Sequence, residues 1–311
     1  MPERDVALLG CGLIGQSWAA LLLAHGINVS AWDPDGDALA ALPRHVLPML
    51  DQLRALGVAA AEPGQIRLAA TVEAAVADAD WVQENAPENV ALKQRLYAQV
   101  QAAAPADAVI ASSTSSLTWS ALATGMARPG RLVTAHPFNP PHLMPLVEIY
   151  GTEAAVVDRA VRFYQALGRE TVVLKKEATG HIANRLASAL WREAVHIVAA
   201  GIADVADVDR ALVHGPGLRW SVIGAHLAYH LGGGAGGIGH YLQHLGPSQE
   251  RRWASLGQPR LTPEICQQLV EGIAQEAAGR SIATLEQQRD QGLIAALTAR
   301  QQLSAGDDHA V

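Results

Sequence analysis

The chain has 311 residues, with 23 Lys and Arg against 30 Asp and Glu, a net charge of −7, half of its residues apolar and 17% charged. That balance excludes a disordered chain, offers no basic stripe for nucleic acid, and leaves room for two domains of ordinary size. The apolar runs stop well short of the roughly 20 residues that span a bilayer, so no membrane association is expected.

Residues 5–9 read as a short apolar strand running into GCGLIG at 10–15. A helical run at 16–25 follows, then a strand at 27–32 that ends in Asp33. A GxGxxG motif between a strand and a helix, with an acid closing the next strand, predicts a dinucleotide site in a βαβ unit. Gly10 permits the turn, Gly12 admits the pyrophosphate, Gly15 lets helix and strand pack, and Leu13 and Ile14 open the helix whose free amides face the phosphates. Asp33 suits ribose hydroxyls and repels a 2′-phosphate, which favours NAD as cofactor.

Further on, helices are expected at 38–56, 72–77 and 87–103, the last with Pro87 at its start, and strands at 66–68, 81–83 and 109–111. Five hydroxyl residues, SSTSS at 112–116, follow the last of these strands, at the sheet edge where ligands bind in open α/β folds. N-capping of the next helix is the structural alternative, and Thr118 could do that alone. Residues 132–135 form a strand that delivers His136 into a Pro-rich loop, and the strand 146–150 carries one acid, Glu148. A histidine followed closely by a carboxylate on the next strand is the minimum for a general base and its orienting partner. Taken alone, the stretch also fits a surface histidine beside an edge-strand acid.

After a helix at 154–167 and a strand at 171–174 the alternation ends. Helical patterns at 181–201, 206–215, 219–231 and 261–279 predict an α/β organisation in two parts: a Rossmann-type doubly wound sheet over 1–178, then an all-helical domain over 179–311. The glycine run 232–237 follows no strand and reads as a connector or close-contact loop, and residues 301–311 as a polar tail expected to fray. No metal site is expected: His226/His230 and His240/His244 lack an acid or cysteine at a ligating offset. Cys11 and Cys266 stand far apart, which suits a reducing cytoplasm without disulfides.

GCGLIG, SSTSSL, HPFNPPHLMPLVE and GHIANR, in that order, resemble the L-3-hydroxyacyl-CoA dehydrogenase superfamily, and the likeness covers nearly the whole chain. HPFNPP with MPLVE is closer to the branch holding lambda-crystallin/L-gulonate 3-dehydrogenase and L-carnitine dehydrogenase. GPGLRW and HLGGGAGGIGHYLQHLGP look most like its bacterial carnitine dehydrogenase group. The resemblance implies an NAD-dependent dehydrogenase with His136 as base, Glu148 as its partner, and Ser115 and Asn184 holding the reacting oxygen. It implies that Asn139, Glu88 and Lys93 line the cofactor site.

Two departures bear on substrate. The acyl-CoA enzymes usually carry HFFNP and a lysine before LVE, where this chain has Pro137 and Pro145. The region 34–65, lysine-bearing in those enzymes, has only Arg44 and Arg54 as Lys or Arg. Both favour a small free 3-hydroxy acid, with oxidation of L-carnitine to 3-dehydrocarnitine the leading expectation. A short-chain L-3-hydroxyacyl-CoA dehydrogenase, an L-gulonate 3-dehydrogenase and a crystallin-like NAD-binding structural protein are the alternatives. A trimethylammonium group would call for aromatic faces, and Phe138, Trp191, Trp220 and Tyr229 are candidates. Trp191 and Trp220 fit a core or interface position as well. Ser116, Arg185 and Arg219 could each hold a carboxylate. A homodimer through the helical domain is expected.

Overall fold

The computed structural model describes residues 5–307. They fall into two compact units, one running to Arg185 and including Asp290–Ala299, the other Leu186–Arg289 with the chain from Arg300 onward.

The first unit holds one eight-stranded sheet: β1 (Asp5–Leu9), β2 (Asn28–Trp32), β3 (Ile66–Leu68), β4 (Trp81–Glu84), β5 (Val109–Ser112), β6 (Leu132–Pro137), β7 (Leu146–Tyr150) and β8 (Glu170–Val173). The order is β3-β2-β1-β4-β5-β6-β7-β8. The first six strands are parallel, β7 runs antiparallel to β6, and β8 is parallel to β7. Helices α1 (Leu13–Ala24), α2 (Gly36–Ala55), α3 (Val72–Val76), α4 (Val90–Ala103), α5 (Trp119–Ala123) and α6 (Ala154–Ala166) connect them. The expected doubly wound sheet is present, and the side-chain alternation explains it. In β1, Val6 and Leu8 join the core built by α1, α2 and α6, while Ala7 and Leu9 join the core built by α3, α4 and α5. Strands buried on both faces need continuous apolar runs, which this sequence supplies.

Several boundaries differ from the sequence reading. Helix α4 starts at Val90 rather than Pro87, because the Asn89 side chain caps it by accepting from the Leu92 amide at 2.9 Å. Helix α2 starts two residues early, with Asp35 accepting from the Asp37 and Ala38 amides, and it contains both Pro43 and Pro48. Thr118 occupies the N-cap of α5 without a capping hydrogen bond. Glu177 instead accepts from the Ser120 amide (2.9 Å) and hydroxyl (2.7 Å).

The second unit is helical: the body of α7 (Ala183–Ala199), α8 (Val205–Leu212), α9 (Leu218–Trp220), α10 (Ala225–Gly232), α11 (Gly237–Ser255), α12 (Pro263–Ala277) and part of α13 (Ile282–Asp307). The single helix expected over 219–231 is broken after α9, where the Ser221 hydroxyl donates back to the Leu218 carbonyl and Gly224 takes the N-cap of α10. The glycine run is a close-contact turn. A Cβ on Gly237 would meet the His230 ring at 2.5 Å, and one on Gly233 the Gly237 carbonyl at 1.8 Å. His230 Nδ1 accepts from the Ile238 amide at 3.1 Å, which gives that histidine a structural task. Helix α11 was not legible because Gly246 and Pro247 lie inside it. The polar stretch read as a fraying tail continues α13 to Asp307, and its last four residues lie outside those described. No helix among the described residues is long and apolar enough to cross a membrane.

Candidate active site

The glycine turn after β1 is tightly constrained. Gly10 sits at φ +94°, in the left-handed region, against the Asn85 carbonyl. A Cβ on Gly15 would lie 1.9 Å from the Gly10 carbonyl oxygen, whereas one on Gly12 would meet nothing within 4 Å. Gly15 is thus required by packing, while Gly12 leaves open space at the N-terminus of α1. Asp33 closes the turn from β2: its carboxylate accepts from the Cys11 amide at 2.6 Å and the Asp35 amide at 2.8 Å. Burial, and next the Asp33 carboxylate, push the Cys11 thiol up to about 12, so it remains protonated and unreactive. Gly10, Gly12, Trp32, Asp33 and Arg95 border a cleft of about 490 Å³. Arg95, from α4, was not singled out by sequence because nothing in its spacing ties it to Asp33. Leu13 is exposed at the start of α1, and Ile14 borders the neighbouring cleft.

That second cleft, of about 400 Å³, is bordered by Ile14, Glu88, Lys93, Ser115, His136, Phe138, Asn139 and Asn184. The antiparallel register of β6 and β7 sets His136 directly opposite Glu148, so both side chains leave the same face of the sheet. Both are buried, and His136 Nδ1 lies 3.0 Å from Glu148 Oε2. The other carboxylate oxygen accepts from the Ile182 (2.8 Å) and Ala183 (3.0 Å) amides at the start of α7. Burial pushes the Glu148 carboxyl up, but the His136 hydrogen bond and the Ala183 and Ile182 amides outweigh it and hold the group below its ordinary value. A carboxylate only accepts, so Nδ1 carries a proton, and in the neutral imidazole Nε2 is then the acceptor. Asn184 Nδ2 lies 3.4 Å from Nε2.

The hydroxyl loop after β5 is organised by Glu88. Its Oε1 accepts from the Ser115 amide (2.5 Å), the Ser115 hydroxyl (2.9 Å) and the Ser116 amide (3.2 Å), and Thr114 Oγ1 donates to Oε2 at 2.8 Å. Burial raises the Glu88 carboxyl, yet the Ser115 amide, the Thr114 and Ser115 hydroxyls and Lys93 together hold it below its ordinary value. Lys93 is itself buried, with Nζ donating to Glu84 Oε1 at 2.6 Å and to the Ala86 carbonyl at 2.8 Å. Glu84 also accepts from Tyr97 (2.6 Å), Ser112 (2.7 Å) and the Ala86 amide (2.6 Å). Glu88 and Lys93 therefore border the cleft and, in addition, have protein partners that the sequence did not indicate.

Of the other candidates, Phe138 meets the His136 ring edge-on at 6.1 Å, and Arg185 is exposed one residue beyond Asn184. In the second unit Trp191 (55%), Trp220 (42%) and Arg219 are exposed, which rules out a core position for the two tryptophans within that unit. Tyr229 packs on Tyr241 at 5.1 Å. Sequence reasoning missed His181. It is buried and stacks on His136, with centroids 4.8 Å apart and planes 17° from parallel. Its place after Gly180 in GHIANR was the available signal, but no spacing rule marks a stacked pair.

The NAD-binding domain of 3-hydroxyacyl-CoA dehydrogenase matches residues 5–178, and the C-terminal domain of 3-hydroxyacyl-CoA dehydrogenase matches residues 180–275. An L-carnitine dehydrogenase of Streptomyces griseus is 47% identical, over 99% of this chain and 93% of its own. One from Pseudomonas aeruginosa is 44% identical, over 97% and 95%. Among solved structures, an NAD+-dependent 5-formyl-3-hydroxy-2-methylpyridine 4-carboxylic acid 5-dehydrogenase superposes with a TM-score of 0.83 at 27% identity, covering 98% of this chain and 99% of that one. The (S)-3-hydroxybutyryl-CoA dehydrogenase of Ralstonia eutropha gives 0.62 at 26%, covering 69% and 78%.

Proposed function

The chain belongs to the 3-hydroxyacyl-CoA dehydrogenase family and is an NAD-dependent dehydrogenase; from that premise we propose that it oxidises the 3-hydroxyl of L-carnitine to give 3-dehydrocarnitine. The observation that carries the reading is the buried His136–Glu148 pair, whose histidine borders the same cleft as Asn184 and the Ser115 loop. Bound NAD supplies the hydride acceptor for C3. His136 Nε2 takes the hydroxyl proton as C3 gives up its hydride, and Glu148 stabilises the resulting imidazolium. Asn184 donates to the reacting oxygen through Nδ2. The Ser115 hydroxyl proton is directed at Glu88, so this side chain offers lone pairs to the ligand.

The free-acid assignment rests on the chain's own departures and on the named relatives. Pro137 and Pro145 replace the residues of the acyl-CoA enzymes, and Arg54, one of the two arginines in 34–65, which has no lysine, is paired with Asp51 at 2.5 Å. NADH formation should be measured with L-carnitine, L-gulonate, 3-hydroxybutyrate and 3-hydroxybutyryl-CoA. L-Carnitine should give the highest kcat/KM, by about tenfold or more, the scale of one well-placed recognition contact. Turnover of the CoA ester alone would overturn the free-acid reading, and inactivity toward all four with NADH still bound would favour a structural role.

We assign residues 1–178 to cofactor binding and 179–311 to substrate binding and dimerisation. In support, helices of the second unit expose Leu186, Trp191, Leu227, Leu242 and Trp253, apolar surface that a second copy would cover. Sedimentation at micromolar concentration should give twice the chain mass, and a monomer would refute the assignment. The free Cys11 and Cys266 are in keeping with our placement of the enzyme in the cytoplasm.

A further inference from the structure

The His136–Glu148 hydrogen bond fixes one corner of the imidazole and leaves its plane to other contacts. Asn184 touches Nε2 only at 3.4 Å, and Nε2 is the atom the substrate hydroxyl needs. Phe138 meets the ring with an edge, at 73°. The flat contact comes from His181, 4.8 Å away at 17°. We propose that His181 is a positioning residue for His136: its ring lies over the base and fixes the plane in which Nε2 meets the substrate hydroxyl.

Folding alone gives no reason for a histidine here. His181 sits at φ +48°, a left-handed backbone that glycine or asparagine adopts more readily. Its ring is buried, Nε2 lies 3.4 Å from Thr134 Oγ1, and Nδ1 has no hydrogen-bond partner among the described residues. A buried nitrogen without a partner is costly, and an apolar ring would avoid that cost. The same left-handed turn, Gly180–His181, brings the Ile182 and Ala183 amides onto Glu148, so one local conformation sets both supports of the base. Burial, and next the positive charge that His136 acquires, lower the proton affinity of His181. Glu148, the Ser115 backbone and Glu88 act the other way, and the net shift is downward. His181 therefore presents an uncharged face while His136 takes up and releases the substrate proton.

The inference rests on His136 being the base, and two substitutions isolate it. His181→Asn keeps a residue suited to the left-handed backbone and removes the ring; His181→Phe restores a flat ring without nitrogens. With whichever 3-hydroxy acid is turned over fastest, His181→Asn should lower kcat about 10- to 100-fold, the scale of a misplaced catalytic group. NADH affinity should stay near wild type. His181→Phe should recover kcat to within about threefold, the scale of a conservative change that keeps the geometry. Without substrate, the downfield proton resonance of His136 Nδ1–H should be sharp in wild type and broadened in His181→Asn. Wild-type kcat in His181→Asn overturns the proposal whether or not the Phe variant folds, as does a folded His181→Phe as slow as His181→Asn. Should His136→Ala turn over normally, the base assignment fails first. An inactive His136→Ala beside a fully active His181→Asn would sink this inference alone.

Discussion

Replacing His136 by alanine should abolish NADH formation, with kcat falling about 10³–10⁴-fold, near the top of the range for loss of a general base. The substrate hydroxyl then has no buried acceptor at the end of β6. NADH affinity should change little, because the Gly10–Gly15 turn and the Asp33 contacts lie on β1, α1 and β2 and share no hydrogen bond with His136. Fluorescence titration with NADH and steady-state rates on the same preparation separate the two effects. Turnover at the wild-type rate would remove His136 from the mechanism.

Glu148→Gln should be nearly as damaging while leaving the fold intact. The glutamine oxygen can still accept from the Ile182 and Ala183 amides, so the start of α7 keeps its anchor. Its NH₂ can donate to Nδ1, which moves the imidazole proton to Nε2 and leaves no base facing the substrate. A loss of about 10³–10⁴ in kcat is expected, as for other His–carboxylate pairs given the wrong tautomer. The same carboxyl governs acid sensitivity. Its folded value is held below the ordinary one, so its contribution to stability is present at neutral pH and is lost as pH falls through that depressed folded value. Glu88 acts in the same sense. Glu148→Gln should therefore show a flatter decline of thermal midpoint on the acid side than wild type.

How much of this the sequence disclosed depended on the distance over which each contact is specified. The glycine turn and Asp33 were legible because a βαβ unit fixes their relation locally. His136 and Glu148 were legible because a short connection joins two strands, and an antiparallel register puts the pair face to face. Glu88 was expected beside the cofactor, but its hold on Ser115 and Thr114 depends on how the loops after β4 and β5 meet in space. The resemblance places Lys93 at the cofactor site, and its pairing with the wholly buried Glu84 has no sequence sign. His181 escaped because stacking has no fixed spacing. In the helical part, Gly246 and Pro247 concealed α11, where packing overrides local propensity.

The central claim, oxidation at C3 of L-carnitine with direct transfer to NAD, is tested most directly by L-carnitine deuterated at C3. Reaction in ordinary water should give NADH carrying one deuterium per turnover at the nicotinamide C4, with 3-dehydrocarnitine formed in equal amount. Formation of NADH without the label, or no NADH from L-carnitine while another 3-hydroxy acid is oxidised, would contradict it.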